Sequence, residues 1–144
     1  MSIVLVERGI PGSGKTTHAI ALQHSEPGKW KRINRDSIRA MLGDDKKFTP
    51  ANEKLVKEAR DFLVRRALEF GWNVIIDDTN ISLHSMHKEL LPLAKGHTLK
   101  IVVHRTPLET CLARNAQRSP ETRVPDNIIV NMHKELIRHD SDCS

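Results

Sequence analysis

The run Gly9-Ile10-Pro11-Gly12-Ser13-Gly14-Lys15-Thr16 matches G-x-x-x-x-G-K-[ST] at every fixed position. No other feature of the chain limits its fold so tightly. The apolar run Ile3-Val4-Leu5-Val6 precedes it and reads as a buried parallel strand, and Thr17 to Leu22 reads as the first turns of a helix. A strand, a glycine-rich turn and a helix N-terminus in that order aim several backbone N–H groups and a positive dipole end at one point. The pattern predicts a phosphate cradle. Gly12, Ser13, Gly14, Lys15, Thr16 and Thr17 would hold the nucleotide, with Lys15 on the β- and γ-phosphates of ATP and the Thr16 hydroxyl as a ligand of Mg²⁺.

A length of 144 residues suits one domain, 1–144, with a single core. No apolar run approaches the roughly 18 residues of a membrane-spanning helix. Met1-Ser2 leads at once into the first strand, which leaves no room for a signal peptide. Cys111 and Cys143 lack metal-ligand spacing, so a reducing cytoplasm is the expected compartment. The eight histidines look scattered and read as surface residues. A net charge of +5 suits a polyanionic partner. Aromatic residues make up only 3% and Tyr is absent, which argues against a base-stacking platform.

Strand and helix patterns alternate along the chain. Trp30 to Asn34 predicts a second strand, Ser37 to Leu42 a helix, and Gly43 to Lys47 a solvated loop. Thr49 and Pro50 read as N-cap and first residue of a long helix with Leu55, Ala59, Phe62, Leu63, Ala67 and Phe70 on its apolar face, closed by Gly71. Val74 to Ile76 is a third strand. Ser82 caps a helix carrying Met86, Leu90, Leu93 and Ala94, in which Pro92 kinks or ends the regular part before Gly96. Leu99 to His104 is a fourth strand and Pro107 to Gln117 a helix. Ser119 to Val124 is a polar, mobile loop. Pro125-Asp126 opens a last helix with Ile129, Met132 and Leu136 on one face. Asp140-Ser141-Asp142 reads as a frayed tail. This alternation predicts an α/β fold with a parallel sheet and helices on both faces, ligands lying at the carboxyl ends of the strands.

Those ends carry candidate chemistry. Phosphoryl transfer to a hydroxyl needs a carboxylate to take the proton, and Asp36 is placed for it. Asp36 or Ser37 could equally be a helix cap. Asp77 and Asp78 end a buried strand, where they could orient a Mg²⁺ shell or hold an arginine, or could serve turn chemistry alone. Arg114 and Arg118 stand four residues apart, so one helix face could present both to a phosphoryl group, or to solvent.

The chain resembles the kinase domain of phage-type polynucleotide 5′-hydroxyl kinases, within the P-loop kinase superfamily. The matching pieces are the phosphate loop, Ile33-Asn34-Arg35-Asp36 with Arg39, Asp78-Thr79-Asn80, Arg114-Asn115 with Arg118, and Val124-Pro125, in the family's order and covering almost the whole chain. The resemblance implies a nucleoside-kinase-like three-layer fold with about four strands and a C-terminal helical lid. It implies ATP as donor, Mg²⁺, and a DNA or RNA 5′-OH end as acceptor. Lys15, Asp36 and Arg118 would be catalytic, with Asp36 as general base and Arg118 on the γ-phosphate, to which Arg114 would add a supporting contact. Arg39 would grip the 3′-phosphate of the terminal nucleotide, Asp78 would support that grip through Arg39, and Thr79 would touch the same phosphate. These 144 residues hold no counterpart of the 3′-phosphatase domain of the best-known members, and the loops at 43–48 and at the lid are shorter than theirs.

Two other readings fit a phosphate loop. A small-molecule kinase would phosphorylate a free nucleoside, sugar or antibiotic and gain nothing from a 3′-phosphate. An NTP-driven switch would hydrolyse ATP slowly with no acceptor, and would not need an acceptor-side base.

Overall fold

The computed structural model describes residues 1–43 and 48–143, with backbone alone for 139–143. Part of the expected 43–47 loop and the side chains of His139 and Cys143 lie outside the described residues. The elements run β1 (Ile3–Arg8), α1 (Lys15–Ser25), β2 (Trp30–Ile33), α2 (Arg35–Leu42), α3 (Pro50–Glu69), β3 (Asn73–Ile76), α4 (Leu83–Ala94), β4 (Thr98–Val103), α5 (Leu108–Ala116) and α6 (Asp126–Cys143). The strands form one parallel sheet in the order β2-β3-β1-β4. The α/β fold expected from the alternation is therefore present.

Strand alternation separates the two faces of the sheet. Val4 and Val6 of β1 join Val74 and Ile76 of β3 against α3 and α4. Leu5 and Ile75 face the other way, onto Ala19 of α1 and Trp30. A third cluster sets α5 against α6 through Cys111, Ile129 and Leu136. Caps set the helix starts. Thr49 and Ser82 each accept a backbone N–H three residues on, at Asn52 and Ser85. Gly71, at φ +85°, turns the chain after α3 as expected.

The apolar face of α3 differs from expectation. Its buried residues are Val56, Arg60, Val64, Ala67 and Leu68, whereas Leu55, Phe62, Leu63 and Phe70 are exposed. The true stripe holds a charged residue. Arg60 is only 2% exposed, and its guanidinium pairs with Asp61 and Glu89 at 3.1 Å each. Pro92 neither ends nor interrupts α4, which continues to Ala94. So close to the C-terminus, little regular helix remains for the missing N–H to disturb. The backbone of 140–142 continues α6 where a frayed tail was expected.

The 119–124 loop is tied down by hydrogen bonds. Thr122 and Arg123 N–H groups both donate to Ser119 O at 3.0 Å. Fully buried Asn115 binds Val124 at both backbone groups, donating to O at 2.6 Å and accepting from N–H at 3.0 Å. Arg123 donates to the carbonyls of Ala116 and Arg118.

Candidate active site

The carboxyl ends of β1, β3 and β2 are neighbours, and a chain of polar contacts joins them. Gly9 N–H donates to Thr79 O at 3.0 Å, pinning the start of the phosphate loop to the segment after β3. Asn80 sits at φ +51° and donates to the carbonyls of Glu7 and Asp78 at 2.7 and 3.0 Å. Asn tolerates this left-handed conformation better than most residues. Buried Arg8 donates to the carbonyls of Asn80 and Ile81, which fixes the same segment from the other side.

The loop itself is a cradle. Gly12 and Gly14 take φ +83° and +101°. Gly14 is the N-cap of α1 and offers no side chain, so the first N–H groups of that helix face the loop without a side-chain cap. Buried Lys15 donates to the carbonyls of Gly9 and Ile10 at 2.8 and 2.9 Å. Burial, with a smaller push from the nearby Arg118, lowers its ammonium to about 8 against the pull of Asp77. Ser13 Oγ is buried with no hydrogen-bond partner. Exposed Arg114 reaches across from α5 to donate to Gly12 O at 3.0 Å. Thus α5 brings Arg114 to the phosphate loop, the turn after α5 brings Arg118 near Lys15, and Thr16 and Thr17 lie exposed.

The two aspartates after β3 each hold an arginine. Asp77 accepts from Arg32 Nε at 2.6 Å, and Arg32 Nη2 also reaches Thr16 Oγ1 at 3.5 Å. The other oxygen of Asp77 is buried and unpartnered. Asp78 accepts the backbone N–H of Arg35 at 2.9 Å and stands 3.3 Å from Arg35 Nε, which is misaligned for a hydrogen bond. Burial pushes the Asp78 carboxyl up, opposed by Arg35. The expected relay from Asp78 through Arg39 is therefore not the one formed. Asp78 pairs with Arg35 because Arg35 opens α2 directly beside the end of β3. Arg32 was not singled out from the sequence. Its place before the last residue of β2 could have shown that it ends beside Asp77.

Asn34 is the N-cap of α2, accepting Ser37 N–H at 2.7 Å. Neither Asp36 nor Ser37 caps the helix, and the Asp36 side chain is 90% exposed. Arg39, one turn on, donates to it at 2.7 Å. The rest of the Arg39 guanidinium is gripped by Glu53 of α3, Nε at 3.0 Å and Nη2 at 2.7 Å, and stacks on Phe48 at 5.0 Å. Burial is the largest single influence and works against its charge, but the Glu53 hydrogen bond together with the charges of Glu53, Asp36 and Asp78 outweighs it and raises its pKa. These contacts use three of the five N–H donors of an arginine, so among the described residues two are left without a partner.

Two of the histidines are not scattered, and His104 is only 14% exposed where a surface residue was expected. His18 of α1 and His104 after β4 converge on fully buried Glu7 of β1.

The oxygen donors suit Mg²⁺, which takes hydroxyl, carboxylate and phosphate oxygens. The exposed Thr16 hydroxyl and Asp77, one of whose oxygens is buried without a partner, are bridged by Arg32.

A family model described as "AAA domain" matches residues 4–138. The L-seryl-tRNA(Sec) kinase of Methanococcus maripaludis is 28% identical over 142 residues, covering 93% of this chain and 52% of that protein. A protein of Autographa californica nuclear polyhedrosis virus, named for a proposed bifunctional polynucleotide kinase/RNA ligase activity, is 28% identical over 151 residues, covering 94% of this chain and 21% of its own length. A chain of the Pnkp1/Rnl/Hen1 RNA repair complex superposes with a TM-score of 0.89 at 29% identity, over 98% of this chain and 46% of that one. The chain thus spans about half or less of the length of these relatives. The APS kinase CysC of Mycobacterium tuberculosis, at 20% identity and a TM-score of 0.62, shares the fold.

Proposed function

The chain belongs to the AAA domain family, with a P-loop kinase fold, and from that premise we propose that it transfers the γ-phosphate of ATP to the 5′-OH end of a polynucleotide. The observation that carries this reading is the acceptor-side pair. Asp36 is released from capping by Asn34, faces solvent and is held by a buried arginine at the end of the strand next to β3. A nucleotide switch has no use for such a base.

In this reading the loop residues Gly12, Ser13, Gly14, Lys15, Thr16 and Thr17 bind the donor phosphates, with Arg114 bracing the loop. Mg²⁺, when bound, neutralises phosphate charge, and Thr16 and Asp77 would hold it. Asp36 takes the proton of the acceptor hydroxyl as its oxygen attacks the γ-phosphorus and the bond to ADP breaks. Arg39 orients Asp36 and turns its two remaining N–H groups to the acceptor's 3′-phosphate, which Thr79 also contacts. Asp78 supports this corner through Arg35. Arg118 meets the charge that develops on the transferring group.

The seryl-tRNA kinase relative supports a second reading, a hydroxyl carried on tRNA. One assay separates them: labelled γ-phosphate transfer from ATP to a 5′-OH oligonucleotide, a nucleoside 3′-monophosphate, a free nucleoside and seryl-tRNA. Transfer to the first two is expected. Transfer confined to seryl-tRNA or to the free nucleoside overturns the proposal.

A further inference from the structure

Glu7 is a carboxylate at the heart of the sheet, fully buried. It follows the parity of β1: Val4 and Val6 face α3 and α4, while Leu5 and Glu7 face α1. From α1, His18 presents Nδ1 to one carboxylate oxygen, and from the end of β4, His104 presents Nε2 to the other. The two rings meet edge to face with centroids 5.5 Å apart. All three ligand atoms lie within 4.8 Å of one another. Among the described contacts, no Lys or Arg hydrogen-bonds to the Glu7 oxygens, although Lys15 is near enough to feel their charge. A buried carboxylate needs a compensating cation.

We propose that Glu7, His18 and His104 form a site for a borderline divalent cation such as Zn²⁺, separate from the Mg²⁺ position on the loop. Two imidazole nitrogens and one carboxylate oxygen are a donor set that zinc uses, whereas Mg²⁺ prefers oxygen alone. The ligands come from three elements locked by the sheet. The backbone N–H of His104 donates to Arg8 O at 2.8 Å, and a Cβ on Gly9 would lie 3.1 Å from the His104 Cβ, so His104 is packed against the base of the phosphate loop. The His18 side chain is 42% exposed and the His104 side chain 14%, so entry and a fourth, water ligand lie on the His18 side. A bound ion would tie β1, α1 and β4 together directly under the loop.

The test uses the full chain without nucleotide, in excess Mg²⁺. Co²⁺ is titrated by visible absorption and Zn²⁺ by calorimetry, with melting followed before and after EDTA. One ion per chain is expected, with a visible band of low-coordinate cobalt, no thiolate charge-transfer band, and a melting temperature that rises with Zn²⁺ and falls on chelation. The variant His18→Asn, at the most exposed ligand, should melt normally without metal and bind at least about tenfold more weakly, since even outer partners of metal ligands are worth 10–100-fold. His104→Asn should do the same. No saturable binding, a thiolate band, or full affinity retained in both variants overturns the proposal, and none of these results bears on phosphoryl transfer.

Discussion

In the proposed reaction Asp36 and Lys15 would serve opposite sides of the chemistry, so their losses should differ in kind. Lys15→Ala should remove productive ATP use altogether. Asp36→Ala should leave ATP binding intact while transfer falls by about 10²–10⁴, the scale of a positioned general base. Single-turnover rates and ATP dissociation constants for both variants check this, and near-normal transfer by Asp36→Ala at neutral pH would remove it from the chemistry. The Arg39–Glu53 pair carries a separate, acid-range signature. The hydrogen bond from Arg39 holds the Glu53 carboxyl below its ordinary 4.5. The folded state therefore favours the ionised form. The stabilisation is complete above pH 4.5 and disappears as pH falls through the lower folded value. Glu53→Gln should lower the urea midpoint at neutral pH and flatten its decline between about pH 5 and pH 3. A decline as steep as that of the parent chain would assign it to other carboxylates.

Element boundaries were largely legible because they rest on local chemistry: Thr49-Pro50 and Ser82 at helix starts, and Gly71 beyond a helix end. Asn34 should contribute as such caps do, so Asn34→Ala should cost about 0.5–2 kcal/mol in urea unfolding. The same change should disturb the Asp36–Arg39 geometry and lower transfer, and an unchanged midpoint would mean that Ser37 N–H finds another acceptor. The buried face of α3 was not legible. Two neighbouring stripes both have helical spacing, and the true one is interrupted by Arg60, whose partner Glu89 lies 29 residues away. Pairings of the candidate site failed for a similar reason. That Asp78 would meet an arginine follows from its strand end, but which one depends on where α2 starts relative to β3. The Glu7 cluster joins residues 11 and 97 apart. The only local signal was the parity that turns Glu7 toward α1.

At the scale of the whole molecule, the sheet collects the loop, the aspartates and α2 at the carboxyl ends of its strands, and α5 with the turn after it supplies Arg114 and Arg118. Arg118 stands just beyond α5 in a hydrogen-bonded turn, near enough to Lys15 to lower its pKa. Charge on a transferring phosphoryl group grows toward the transition state, so a guanidinium arriving there acts on turnover more than on binding. Arg118→Ala should lower turnover by about 10³–10⁵ while ATP affinity changes less than about tenfold. Arg114→Ala should cost less, because Arg114 is already engaged with Gly12 O. Steady-state turnover and calorimetric ATP affinity decide between them. Retained turnover with lost affinity would make Arg118 a ground-state contact.

Gly12 does more than curve the loop. A Cβ there would lie 2.9 Å from Cys111 O, and the loop backbone rests directly on the middle of α5. Loop and helix are one mechanical part, so the donor pocket cannot be recast by exchanging the loop alone. A graft of residues 9–16 into another sheet would arrive without its back wall. Whatever lineage or engineer alters nucleotide choice here must carry α5 along as cargo.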